Sequence, residues 1–301
     1  MPELAVADRC SLRSLATEES LAGTASRIRL WLLVEHGGPW GHDGLLDARL
    51  PDGLGSDLRA LERRTGARVL LVRTPDRTAG AGADSVVCCV VDTRDAWLGT
   101  TALDSIEAAL PVDPRDRSPF APSPDPLFVV CTHGRRDPCC AERGRPLAQA
   151  LGAAVPRVWE SIHVGGDRFA GNVVAFPHGL YFGRVEPEEG PEIARAYAEG
   201  RIGRLDRYRG RSSHPFPVQA AERALREHLA LDRIDEVAPA RARRRGDRAE
   251  VTFATSVGAH RVRLERILGP PMRLTCHASQ EQAPPVWRPL AVERVTDVGA
   301  R

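Results

Sequence analysis

Between residues 127 and 203, the order of apolar runs leaves few folds open. "LFVVCTHG" reads as a strand running into a loop, "CAERGRPLAQALG" as a helix and "RVWESIHVGG" as a second strand. "AGNVVAFPHGLYFGRV" reads as a strand pair around the turn "PHG", and "PEEGPEIARAYAEGRI" as a helix that stops at Gly200 or Gly203. Strand, helix, strand, hairpin and closing helix are the minimum of a thioredoxin-like layer.

The first third of the chain runs in a similar order. "RIRLWLLVEHG" (27–37) and "ARVLLVRT" are strands on either side of the helix "GLGSDLRALERRTG", for which Gly66 is the stop signal. "DSVVCCVVDT" and "AWLGTTAL" follow as two more strands, and the Pro-, Asp- and Ser-rich stretch 111–126 has the composition of a linker. "WLLVEHGGPWG" and "LFVVCTHGRRD" occupy matching places, which points to a duplication, with chance similarity over one element as the alternative. The expected fold class is therefore α/β: a thioredoxin-like layer, duplicated in degenerate form in the N-terminal half, with a small α+β C-terminal unit. The expected domains are 1–115, 116–209 with the functional site, and 210–301, where "AEVTFATSVGAHRVRLERI" and "MRLTCHASQ" supply strands. A chain of 301 residues has room for about two domains and a large core.

Composition closes off several functions. All 42 basic residues are arginine. Without lysine there is no P-loop lysine for a phosphate and no amine for Schiff-base chemistry. Net charge is only +2, and the local run "ARARRRGDR" reads as a solvated linker, so no nucleic-acid partner is expected. No apolar run is long enough to span a membrane, and "MPELAVADRCSLRS" carries an early acid and no apolar core, unlike a signal peptide. Seven cysteines, an odd number in irregular spacing, do not form a secreted disulfide framework. The expected location is the cytoplasm.

Cys131, Cys139 and Cys140 crowd one charged loop, "CTHGRRDPCC". Cys131 ends an apolar strand and Cys140 starts a helix, where backbone N–H groups converge and favour thiolates. His163 and Asp167 lie on the loop after the next strand, and Gly165 and Gly166 let that loop pass close to something bulky. In a thioredoxin-like layer the two loops are neighbours, so a metal or cluster can bridge them. Zinc and an iron–sulfur cluster fit these residue types equally well. A thiol enzyme using Cys139 or Cys140 is a further reading, although the spacing is not C-x-x-C. Cys88 and Cys89 lie in an apolar strand and read as core. Cys10 and Cys276 are expected not to be ligands. His133 reads as a solvated loop residue or a hydrogen-bond donor beside the site, Trp159 as core, and His178 as a turn residue. Arg135, Arg136 and Arg168 read as a docking patch for an acidic partner or as plain charged surface. Arg184 has no assigned role.

The stretch from "FVVCTHGRRDPCC" through "VWESIHVGGDRFAGNVVAFPHGLYFGRV" resembles the sucrase/ferredoxin-like family, and "LAGTASRIRLWLLVEHGGPWG" looks like its N-terminal region. The resemblance covers about two thirds of the chain. It implies a thioredoxin-like ferredoxin fold, and in some members a [2Fe–2S] cluster held by two cysteines and two histidines. Carried over, Cys131 and Cys140 take the cysteine roles and His163 the first histidine role. Asp167 stands where the second histidine would be, with Cys139 as the alternative fourth ligand. The resemblance thus implies an electron carrier with redox partner proteins; the alternatives to the cluster are zinc, in a zinc-stabilised interaction module, or no metal, in a thioredoxin-like thiol oxidoreductase. The "sucrase" part of the name has no support here, since no carboxylate pair stands out for glycoside hydrolysis.

Overall fold

The computed structural model describes residues 8–76 and 85–296. The reading of residues 1–7 as lacking a leader peptide lies outside the described residues. A short helix, α1 (Cys10–Ala16), precedes β1 (Leu30–Glu35), α2 (Leu54–Thr65), β2 (Arg68–Arg73), β3 (Val86–Asp92) and β4 (Trp97–Leu103). After the two-residue strand β5 (Ala121–Pro122) come β6 (Leu127–Cys131), α3 (Pro138–Ala154), β7 (Val158–Ser161), β8 (Val173–Phe176), β9 (Leu180–Phe182) and α4 (Gly190–Ala198). The remainder is β10 (Tyr208–Arg211), α5 (Phe216–Leu229), β11 (Val237–Arg245), β12 (Arg248–Thr255), β13 (Gly258–Leu268) and β14 (Pro285–Val295).

The first ten strands form one mixed sheet in the order β10-β9-β8-β6-β7-β2-β1-β3-β4-β5. Strand β1 is parallel to β2 and antiparallel to β3, which is antiparallel to β4. Strand β6 repeats this relation with β7, β8 and β9. The two halves therefore share one strand order, and they join where β2 and β7 pair antiparallel, Val72 with Ser161 and Arg73 with Glu160. Both faces are covered, which is why β1, β2 and β6 are continuous apolar runs without polar alternation. Period two still decides direction. Leu127, Val129 and Cys131 face the core shared with Trp31 and Leu70, while Phe128 and Val130 face the core under Leu147 and Ile193. Cys88 and Cys89 are fully buried in β3, as expected of core residues, and Trp159 packs against the same core.

Stretch 111–126 is turn-rich, but it is tied down: Phe120 is buried and β5 pairs with β4. The run "ARARRRGDR" is not a linker. Its residues form the edge strand β11 and the turn into β12, paired from Val237–Thr255 to Arg245–Arg248. Backbone pairing needs no apolar side chain, and a row of arginines suits an exposed edge that must not recruit another strand. "MRLTCHASQ" is a loop apart from one bridge at Met272, and β14 supplies the fourth strand of the small antiparallel sheet β11-β12-β13-β14. Helix α5 packs Val218, Ala221 and Leu225 on Val251, Phe253 and Trp287 of that sheet. On its other side Arg226 donates to Glu222 at 3.0 and 3.1 Å, both side chains fully buried. Burial opposes the Glu222 charge, but His214 and Arg226 hold its carboxyl well below the usual range.

Candidate metal centre

Cys131, Cys140 and His163 come together, each offering a donor atom within 4.8 Å of the others. Three elements place them: the end of β6, the first turn of α3, and the loop after β7. Helix α3 can approach the strand end because residue 144 is glycine. A Cβ there would collide with the Cys131 carbonyl oxygen and press on Thr132. Gly144→Ala is therefore expected to destabilise the protein by about 1–3 kcal/mol, as for overpacking generally, seen as a lower urea midpoint with an unchanged slope.

Asp167 is buried at 3% exposure and lies against two members of the group. Its Oδ1 accepts from Cys140 Sγ at 3.2 Å and stands 2.8 Å from His163 Nδ1. That second contact is an ion pair of the imidazole with the carboxylate. Burial works against a charged His163, yet Asp167 and Cys131 push its pKa up to about 9. A hydrogen bond from Cys140 holds the Cys131 thiol well below its ordinary value against burial, and the same bond raises Cys140. The shifts thus favour charge on Cys131, His163 and Asp167 over charge on Cys140.

His133 is not a solvated loop residue. It is 2% exposed, and its Nδ1 accepts from the His163 backbone N–H at 3.2 Å while Nε2 lies 2.9 Å from the Gly41 carbonyl. Those partners set the tautomer with the proton on Nε2 and occupy both ring nitrogens, so His133 braces the His163 main chain. The bulky group beside the Gly165–Gly166 turn is protein. Both glycines have positive φ, +100° and +83°, and Cβ atoms there would meet Ser26 and the Arg209 guanidinium. Arg168 does not belong to a docking patch: its Nε lies 2.9 Å from each carboxylate oxygen of Glu19, which is buried. Arg184, at φ +55°, donates to Ser14 O, Ser14 Oγ and Glu19 O at 2.8–3.0 Å. These two arginines pin α1 and its following turn beside the site. His178 does lie in the turn between β8 and β9, where Nδ1 meets the Tyr197 hydroxyl at 2.6 Å.

Cys139 does not face this group. It meets Cys10 and Cys276 at Sγ–Sγ distances of 3.7 and 3.4 Å, and those two lie 3.6 Å apart. The expectation that Cys10 and Cys276 lack a ligand-rich neighbourhood is therefore corrected. Asp137 caps α3 by accepting from Cys139 N–H at 3.0 Å, and its other oxygen accepts from Cys276 N–H at 2.7 Å. Bonds from Cys10 and Cys276 push the Cys139 thiol far down, and burial raises the Asp137 carboxyl to about 6. No spacing signal could reveal this second cluster, because Cys10 and Cys276 are 266 positions apart. The only hint was their polar neighbours, Arg9 and Ser11, Thr275 and His277.

A model of the sucrase/ferredoxin-like family matches residues 21–210, more than half of the chain and the whole of the Cys131–Cys140–His163 group. The chain belongs to the sucrase/ferredoxin-like family. It is also 33% identical over 97 residues to altered inheritance of mitochondria protein 32 of Meyerozyma guilliermondii, covering 29% of this chain and 34% of that protein. The chain thus spans about a third of the length of that curated relative. No solved structure matches. The family match stops short of both Cys10 and Cys276. Among the described residues, no helix is long and apolar enough to cross a membrane.

Proposed function

We propose that this chain is a one-electron carrier whose second half holds a [2Fe–2S] cluster on Cys131, Cys140, His163 and Asp167. The observation that carries this reading is the convergence of two thiols and an imidazole from three elements within 4.8 Å. The donors suit such a group: soft thiolates and imidazole are iron–sulfur ligands. The matching strand order of the two halves supports the duplicated thioredoxin-like reading.

A bound cluster would supply reversible one-electron storage. The protein does the rest. Gly144 lets the two cysteines approach, His133 fixes the His163 main chain, and burial of Cys131, Cys140 and Asp167 excludes water. The His163 side chain, 22% exposed, is the donor nearest solvent. It opens on a cavity of about 290 Å³ lined by His42, Asp43, Arg59, Arg68 and Arg136. The basic side chains at this mouth suit an acidic redox partner. We place the carrier in the cytoplasm.

A single zinc ion is the second reading, favoured by the same close convergence of three donors. A thiol enzyme is disfavoured because all seven cysteines are buried, whereas a reactive thiol needs access. The visible spectrum and iron content of anaerobically purified protein decide. Two irons per chain and visible charge-transfer bands support the carrier; a colourless protein sinks it. Asp167→His is expected to keep the cluster and raise its potential, on the order of 100 mV, since a neutral imidazole replaces a negative ligand. Voltammetry that finds an equal or lower potential would remove Asp167 from the ligand set.

A further inference from the structure

We propose that Cys10, Asp137, Cys139 and Cys276 form a second metal site, a structural zinc centre separate from the Cys131–Cys140–His163 group. The three sulfurs make a nearly equilateral triangle with edges of 3.7, 3.4 and 3.6 Å. Tetrahedral zinc with bonds of about 2.3 Å to sulfur requires edges of about 3.8 Å, so the triangle is the size one zinc ion needs. Asp137 Oδ2 lies 3.6 Å from Cys10 Sγ, and all four donor atoms fall within 4.8 Å of one another. A disulfide would need two sulfurs at about 2.05 Å and would strand the third.

The donor chemistry selects the ion. Three thiolates exclude calcium and magnesium, which take oxygen, and the set of three sulfurs and one carboxylate suits tetrahedral zinc. Four protein ligands close the site, and each of the four residues is at most 2% exposed, leaving no open position for a substrate. The surroundings are built as a second layer. Cys10 N–H points at Cys276 Sγ at 3.4 Å, Ser11 Oγ donates to Cys139 Sγ at 3.2 Å, and two backbone N–H groups orient Asp137. Four anionic ligands exceed the charge of the ion. The N-terminus of α3 offsets part of the excess, and Arg9, paired with Glu142, lies close enough to add to that offset.

The position gives the ion a task. Two of its four ligands, Cys10 and Cys276, come from outside the residues matched to the family, so the site is an addition to the family's part of the chain. It would staple α1 and the loop between β13 and β14 to the first turn of α3, one residue from Cys140. This holds whatever occupies the first group.

The test is zinc content of the full chain, wild type against Cys10→Ser, Cys276→Ser and Cys131→Ser, with circular dichroism to confirm folding. One zinc per chain in wild type and in Cys131→Ser, falling at least tenfold in Cys10→Ser and Cys276→Ser, is the expected result. Zinc lost in Cys131→Ser and kept in Cys276→Ser would move the ion to the first group and overturn the proposal. Wild-type protein without zinc, or with iron in its place in Cys131→Ser, would also overturn it. Should the serine variants not fold, zinc X-ray absorption of wild type still decides. Three sulfurs and one oxygen support the site; two sulfurs with imidazole scattering refute it. Because the first test reads iron and colour, and this one reads zinc, either proposal can fail while the other stands.

Discussion

Cys131→Ser and Cys140→Ser are each expected to cut cluster iron to less than a tenth of the wild-type content and to bleach the visible spectrum. Both sulfurs are buried at 1% exposure, and each belongs to the three-donor group. A hydroxyl in either place is a harder donor and, unlike a thiol, stays protonated at neutral pH, so it cannot replace a thiolate on a soft metal. Secondary structure should persist, because α3 keeps its Asp137 cap and its apolar face on the core under Leu147 and Leu151. The measurement is iron per chain beside far-ultraviolet circular dichroism. Wild-type iron in folded Cys140→Ser protein would remove that residue from the site, and with it the ligand set proposed here. Cys88→Ala serves as the internal contrast, since Cys88 lies in β3 outside both cysteine groups and its loss should leave the cluster spectrum in place.

Arg209→Ala is expected to destabilise the protein by about 3–5 kcal/mol, a loss typical of breaking a buried polar network. Arg209 is 1% exposed at the end of the sheet. Its guanidinium donates to Thr24 Oγ1 at 3.0 Å, Thr24 O at 2.5 Å, Gly165 O at 3.1 Å and Asn172 Oδ1 at 2.6 Å. It also lies over the rings of Phe169 and Tyr181, and Asn172 in turn donates to Gly166 O at 2.8 Å. Truncation would leave several buried acceptors unpaired, each costing about 1–3 kcal/mol. The loop so held carries Asp167 and follows His163, so metal content should fall with stability. Arg209→Lys keeps the charge but lacks the planar fork, and is expected to recover only part of the loss. Urea unfolding of the three proteins checks this. A midpoint for Arg209→Ala within experimental scatter of wild type would show that the network does not hold the loop.

Local pattern was enough for eight of the ten strands of the large sheet, all but β5 and β10, and for helices α2, α3 and α4. β1, β2, β3 and β6 are apolar runs that only a doubly covered sheet can hide, and Gly66 and Gly200 stop their helices in left-handed geometry with φ of +72° and +74°. Cys131, Cys140 and His163 could be placed together because a strand-to-helix loop and the loop after the parallel neighbour strand are adjacent whenever that order is kept. Local geometry also bears on the vicinal pair: a helix turns about 100° per residue, so Cys139 and Cys140 face different groups. The sequence even contained the reason that Asp167 and His163 would meet, four positions apart on one turn.

Tertiary structure alone decided the rest. Cys10 and Cys276 meet only because α1 and the loop between β13 and β14 both return to the first turn of α3, and no periodicity encodes an approach between residues 266 positions apart. "ARARRRGDR" has no apolar face, so its strand character comes from the partner β12, whose backbone it pairs. His133 reads as a solvated loop residue until Gly41 and the His163 main chain close around it. Arg209 and Arg184 carry no assignable role in one dimension. Their burial follows from loops that fold over them and supply carbonyl oxygens, and a carbonyl carries no side-chain signature that a sequence could show.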